Sequence, residues 1–293
     1  MERIDKGKLS YFSSKLLERQ AAQRPDIRLR HGFSTRRGGV SEAEHLREMN
    51  FGFQRGEPDG ITRENYAVFS HALDIEPSHV VCTNQTHTDI VLRVTEQHRG
   101  MGWRRPPDYD GSGITERNEA DALVTERTDV ALAVRVADCV PILLWDPEHC
   151  VIGAAHAGWR GTYGRIAART VHMMEKYGAE AHSVYAAIGP AVGPCCYEVD
   201  DDFYERFQSA FGPEITGICF CLRSGMRNVP ARWHADLRRL NRILLEEAGV
   251  PAGHIDVSGD CTCCHPELFH SHRATGGRRG TMAAMISMET VNV

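Results

Sequence analysis

The stretch "ADCVPILLWDPEHCVIGAAHAGWRGT", Ala137–Thr162, decides the fold. Two β-branched apolar runs, "VPILLW" and "CVIGAAH", stand on either side of the turn-forming "DPEH". That pattern reads as two neighbouring strands. Cys139 stands at the start of the first run and His156 near the end of the second. The "TYGRIAARTVHMMEKYG" that follows from Thr162 changes period: Ile166, Thr170, Met173, Met174 and Tyr177 fall on one helical face. Thr162 reads as the N-cap and Gly178 as the C-terminal stop.

The same alternation continues outward. "IRLRHGFST" reads as a strand ending in the "RRGG" turn, "TRENYAVFSHALDI" as a helix, and "DVALAVRV", "HSVYAAIGP" and "HIDVSG" as further strands. "HVVCTNQTH" and "DIVLRV" read as two strands joined at a tight turn. "WHADLRRLNRILLEEAG" is a second amphipathic helix, stopped at Gly249. Arg99–Ala120, rich in Gly, Pro and charge, reads as a surface loop. The fold class is α/β with a mixed sheet or sheets. Residues 1–28 read as an N-terminal extension and residues 29–293 as one domain.

Composition narrows the function. The 293-residue chain carries 34 Lys plus Arg against 39 Asp plus Glu, a net charge of −5, so it has no global attraction for nucleic acid or an anionic membrane. "MERIDKGKLSYFSSKLLERQ" has no apolar core of signal-peptide length, and no run reaches membrane-span length. A cytoplasmic protein, monomer or homodimer, is expected. Thiols stay reduced there, so the ten cysteines are packing residues, ligands or nucleophiles rather than a disulfide framework.

Three residues stand out as a possible site. His87, Cys139 and His156 all sit at strand ends. Two His and one Cys suit a three-ligand metal with an open position, as in a catalytic zinc, although each alone is more often a packing residue than a ligand. The turn after His156 offers a helix start, and Arg160 a planar donor fork, for phosphate or carboxylate. A structural salt bridge is the simpler reading of that turn by itself. Arg36, in "TRRGG", is a second anion candidate. Asp138 is a general acid or base, a partner orienting a ligand, or a turn former. Among the remaining cysteines, Cys195-Cys196 follows a Gly-Pro turn. Cys261, Cys263 and Cys264 form "CTCC", near His265, His270 and His272. "CTCCHPELFHSH" can supply four zinc ligands, but reduced thiols in a supporting role are the favoured reading.

Taken together, "HGFSTRRGGVS", the "QTH" element, "DALVTERTDVALAVRVADCVPILL", "AAHAGWRGT", "AIGPAVGPCCYEV" and "FHSHR" resemble the YfiH/YlmD/LACC1 family, also called the laccase-domain family or peptidoglycan editing factor. The resemblance runs from about His31 to the C-terminus. It implies a layered α/β/β/α sandwich with mixed sheets and a metal held by His87, Cys139 and His156. Where the family usually shows Gln-Val-His-Gly, this chain has Gln85-Thr86-His87-Thr88. The implied activity is phosphorolysis of adenosine, inosine and methylthioadenosine to free base and ribose 1-phosphate, with adenosine deamination attributed as well. On this reading Asp138, Cys139 and His156 are catalytic, Arg36, Arg160, Gln85 and Arg273 bind phosphate or nucleoside, and the cofactor is zinc. Two other classes stay open. One is a copper-dependent polyphenol oxidase, although the chain offers a single His-x-His pair. The other is a cysteine amide hydrolase editing peptidoglycan precursors, with Cys139 as nucleophile and His156 as base.

Overall fold

The two strands of the opening stretch, β8 (Val140–Asp146) and β9 (Val151–Ala157), form an antiparallel hairpin in which every residue is buried. Burial on both faces explains why the sequence is apolar without alternation. Ile142 and Leu144 enter one core, while Leu143 and Trp145 enter another. The hairpin therefore lies in an inner layer of the protein. The computed structural model describes residues 1–104, 119–223 and 230–291. Residues 105–118, most of the Arg99–Ala120 stretch read as a loop, lie outside the described residues; Arg99–Arg104 run in turns.

The remaining strands are β1 (Glu2–Lys6), β2 (Leu9–Ser13), β3 (Ile27–Ser34), β4 (Val80–Val81), β5 (Val91–Arg93), β6 (Ala122–Thr125), β7 (Ala131–Val136), β10 (Tyr185–Ile188), β11 (Glu198–Val199), β12 (Phe220–Arg223), β13 (Arg232–Ala235), β14 (Ile255–Val257) and β15 (Met282–Thr290). One six-stranded sheet has the order β1-β2-β3-β15-β7-β4, the other β14-β10-β8-β9-β6-β5; β11-β13-β12 form a small third sheet. Both large sheets are mixed, since β4–β7, β5–β6 and β10–β14 pair in parallel and the other pairs run antiparallel.

The large sheets pack face to face. Leu132, Val134 and Ile286 from the first meet Leu143, Trp145 and Ile152 from the second in one apolar layer. Helix α2 (Asp59–Ala72) covers the outer face of the first sheet through Tyr66 and Phe69. Helices α4 (Ile166–Glu175), α5 (Asp201–Cys219) and α6 (Leu237–Glu247) cover the outer face of the second. The result is the expected α/β/β/α sandwich.

Local readings are corrected in two places. The runs at Val80 and Val91 are not a hairpin: β4 joins the first sheet and β5 the second, so Cys82–Ile90 crosses between layers. The helix after His156 is not continuous either. A short α3 (Trp159–Tyr163) begins after Gly158, and Arg165 takes a left-handed φ of 62° before α4 starts. Thr162 is thus inside α3, where its hydroxyl accepts a hydrogen bond from Asn241 at 2.9 Å. Gly164 permits the break, because a Cβ there would lie 2.7 Å from the Asp89 side chain. Residues 1–28, read as an extension, contribute β1, the fully buried β2 and α1 (Lys15–Ala21) to the sandwich, with Phe12 and Leu17 in its central core.

Candidate metal centre and anion cleft

Chain crossings between the two sheets build the site. The first sheet ends β7 at Val136, and Ala137–Cys139 carries the chain into β8. The neighbouring crossing delivers His87. Two residues here hold unusual backbone: His87 has φ 64° and Asp138 φ 85°. A positive φ in a residue with a Cβ costs energy and is sustained by its surroundings. The Asp121 carboxylate accepts from the His87 amide at 3.1 Å. Both oxygens of Asp138 are also taken: Oδ1 accepts from the Thr262 hydroxyl at 2.6 Å, and Oδ2 from the Ser271 hydroxyl at 3.0 Å and the Arg273 amide at 2.6 Å. Asp138 is buried, with both carboxylate oxygens held by hydrogen bonds.

The three expected ligands do converge. The Nδ1, Nε2 and Sγ candidates of His87, Cys139 and His156 lie within 4.8 Å of one another. His87 Nε2 is 3.8 Å from Cys139 Sγ. The His87 and His156 ring centroids are 5.0 Å apart, nearly edge to face. Gly158 is required beside them, since a Cβ would lie 2.7 Å from His87 and 3.1 Å from Cys139 Sγ. Soft thiolate and imidazole donors at this separation fit a single zinc-class ion.

Asp121 is the residue that sequence reading missed. Its Oδ1 meets His156 Nδ1 at 2.6 Å, and its Oδ2 accepts from the Thr88 amide at 2.7 Å and the Thr88 hydroxyl at 2.8 Å. A carboxylate on one imidazole nitrogen orients the other toward a ligand. The weak signal was an Asp immediately before a buried strand. Thr88 adds its hydroxyl to this support. Burial pushes the Cys139 thiol up and His156 down. The charges and hydrogen bonds of this cluster outweigh it, bringing Cys139 down to about 6 and His156 up to about 9. Burial also pushes Asp121 up, but the His156 and Thr88 contacts hold it below the usual carboxylate range.

These residues open on a cleft of about 390 Å³. Arg55, Arg135 and Arg279 line it with Phe53, Asn84 and Gln85, and no Asp or Glu does among the described residues. Arg135 donates to the Thr83 carbonyl at 2.9 Å. Arg279 Nε is buried with no hydrogen-bond partner. Burial, then the charge of Arg55, pulls the Arg279 guanidinium down. A buried cationic donor left unpaired costs free energy unless an anion completes it.

The anion ligands expected from sequence are placed elsewhere, except Gln85. The Gln85 amide bonds both the carbonyl and the N–H of Arg135 at 2.8 Å. Arg160 is exposed, its guanidinium 4.4 Å from the Trp159 ring centre, outside the cleft lining. Arg273 lies over Tyr197 and donates to the Glu198 carbonyl. Arg36 donates to the Pro266 carbonyl and lines an adjoining cavity of about 350 Å³ with His270, Ser271 and Arg279. His270 bonds the Met49 carbonyl, so the His-x-His pair does not join the ligand group.

Residues 30–289 match a family model described as multi-copper polyphenol oxidoreductase laccase. The chain belongs to this family. It is 33% identical over 259 residues to the purine nucleoside phosphorylase YlmD of Bacillus subtilis, covering 88% of each chain. It is 33% identical to the adenosine deaminase RL5 of an unknown prokaryotic organism over 250 residues, 85% of this chain and 90% of the other. The crystal structure of YfiH from Bacillus licheniformis superposes with a TM-score of 0.81 at 30% identity, covering 97% of this chain and 98% of that one. The relatives' names support an enzyme of the phosphorylase type. No helix among the described residues is long and apolar enough to cross a membrane.

Proposed function

We propose that this family member is a zinc-dependent purine nucleoside phosphorylase, cleaving adenosine, inosine or methylthioadenosine with inorganic phosphate. The observation that carries the reading is the unpaired, buried Arg279 Nε sharing a cleft with Arg55, Arg135 and the His87–Cys139–His156 group. In phosphorolysis an oxygen of hydrogen phosphate attacks the anomeric carbon, the C–N bond breaks, and the base leaves with its electron pair and takes up the proton that the phosphate gives up. The three arginines bind the phosphate dianion and hold it near the sugar, where charge-assisted contacts are strongest. Asp121 holds His156 by Nδ1, so that Nε2 is the ring nitrogen left to face Cys139 Sγ. When bound at His87, Cys139 and His156, a zinc-class ion supplies Lewis acidity toward the substrate.

Purified protein incubated with inosine tests this. Hypoxanthine and ribose 1-phosphate are expected only when phosphate is present. Free ribose released without phosphate would overturn it. Adenosine is expected to give adenine, and inosine among its products would report deamination.

One observation favours a second reading. Asp121, His156 and Cys139 are arranged as orienting acid, base and thiol, the order of a cysteine hydrolase. His87 supports the metal reading instead, because a second imidazole 3.8 Å from the sulfur is surplus to a nucleophile and apt for a ligand set. Iodoacetamide alkylation of Cys139 in the fully metallated protein would favour the hydrolase.

A further inference from the structure

Away from the cleft, four sulfurs from two loops meet. We propose that Cys195, Cys196, Cys261 and Cys264 form a second metal site, a closed four-sulfur zinc knot, which clamps these loops under Asp138. Their Sγ atoms all lie within 4.8 Å of one another. Cys264 Sγ is 3.4 Å from both Cys195 Sγ and Cys196 Sγ. Zn–S bonds of about 2.3 Å in a tetrahedron place sulfurs ~3.8 Å apart, so four thiols already sit near the required spacing. The contacts are too long for disulfides, whose sulfurs are about 2.05 Å apart. A cluster of several metal ions would hold its thiolates farther apart than one ion does.

The surroundings are those of a thiolate site. The Gly193 amide donates to Cys261 Sγ at 3.2 Å. Gly193 has no room for a side chain: a Cβ would lie 3.3 Å from Cys195 Sγ and 2.9 Å from the Arg238 guanidinium. Arg238 is buried and fixed by the Ser258 and Asp260 carbonyls on the other side of Gly193. Nothing in the local order "CTCCHPELFHSH" forms a set by itself. His265 pairs with Glu267, and the ligands beyond the C-x-x-C pair come from Cys195 and Cys196.

The knot has a target. Ala191 bridges to Cys261, and the Thr262 amide donates to the Ala191 carbonyl at 3.1 Å. The Val192 amide donates to the Asp138 carbonyl at 3.0 Å, and the Thr262 hydroxyl to the Asp138 carboxylate at 2.6 Å. Both loops therefore grip the residue that sets Cys139. The proposal does not depend on which reaction the cleft performs.

Elemental analysis of the full chain, purified reduced and without a polyhistidine tag, is expected to give two zinc per chain. Cys139→Ser should retain one, and so should the double variant Cys195→Ser/Cys264→Ser. A double variant that keeps as much zinc per chain as the wild type overturns the proposal. Should the double variant fail to fold, X-ray absorption of the wild type decides. Five sulfurs shared between two zinc ions are expected, and one sulfur per zinc overturns it. Thiol titration of denatured wild type should count all ten cysteines as free; disulfides among these four would overturn it as well.

Discussion

Two cysteine-bearing clusters in one chain make opposite use of the same element. Around Cys139 the donors are one sulfur and two imidazoles, three in all, facing a cleft lined by arginines. Around Cys264 the donors are four sulfurs and no imidazole. Three donors leave a coordination position for a reacting molecule, and imidazole keeps the ion electrophilic. Four thiolates close the shell and damp its charge. Donor number and type therefore separate a place for chemistry from a place for fastening. The supports differ likewise: a carboxylate holds His156, whereas a backbone amide attends the sulfurs.

The contrast is broken most severely at the open cluster. Cys139→Ser should abolish nucleoside cleavage in a base-release assay, losing more than the roughly 10–100-fold expected for an orienting partner. Residual activity within tenfold of wild type would place the chemistry elsewhere. Asp121→Asn should lower kcat/KM by about 10–100-fold while the protein stays folded. An unchanged rate with a depressed unfolding midpoint would make Asp121 purely structural.

Arg279→Ala should raise the phosphate KM about tenfold or more, from loss of a charged hydrogen bond of about 1.5–3 kcal/mol, with a smaller change in the nucleoside KM. Equal rises in both would remove Arg279 from the phosphate site. At the closed cluster, Cys264→Ser should act chiefly on stability. Its unfolding midpoint should drop by about 2–4 °C per kcal/mol lost, with only a few-fold fall in kcat. If kcat falls further than in Asp121→Asn, the closed cluster is not merely a fastening. Thr88→Ala has the smallest expected effect, about 0.5–1.5 kcal/mol from one hydroxyl hydrogen bond, read as a few-fold loss in kcat/KM. No loss would mean that the Thr88 amide alone suffices to hold Asp121.

How much of this was legible follows from the range of the interactions. The β8–β9 hairpin was readable because its pattern is local. So was the convergence of His87, Cys139 and His156, once many ordered motifs were taken together. The split between β4 and β5 was not, because two short apolar runs carry no mark of which sheet each joins. The helix break at Arg165 depends on Asp89 packing against Gly164, a contact made across the chain. The arginines that line the cleft were illegible for the same reason. Arg160 belongs to a phosphate-like local motif, yet it lies on Trp159, whereas Arg55, Arg135 and Arg279 come from three distant segments without a motif. The "CTCC" spacing left a metal as the less favoured reading and could not reveal that Cys195 and Cys196 lie beside Cys261 and Cys264.

The hairpin register has its own consequence. Pro141 faces His156 and Val140 faces Ala157 across the pair, which fixes Cys139 opposite the start of the Gly158 turn. Strand side chains alternate faces, so a slip of one residue would swing His156 away from Cys139 and into the opposite layer. The site can thus be lost without touching any of its residues, by a deletion within Pro147–Cys150 at the far end of the hairpin. Asp146 guards against this slip: its carboxylate accepts from the Glu148, His149 and Glu180 amides and pins the turn to its neighbour. A buried acid far from the cleft serves as the metronome that keeps two distant ligands in phase.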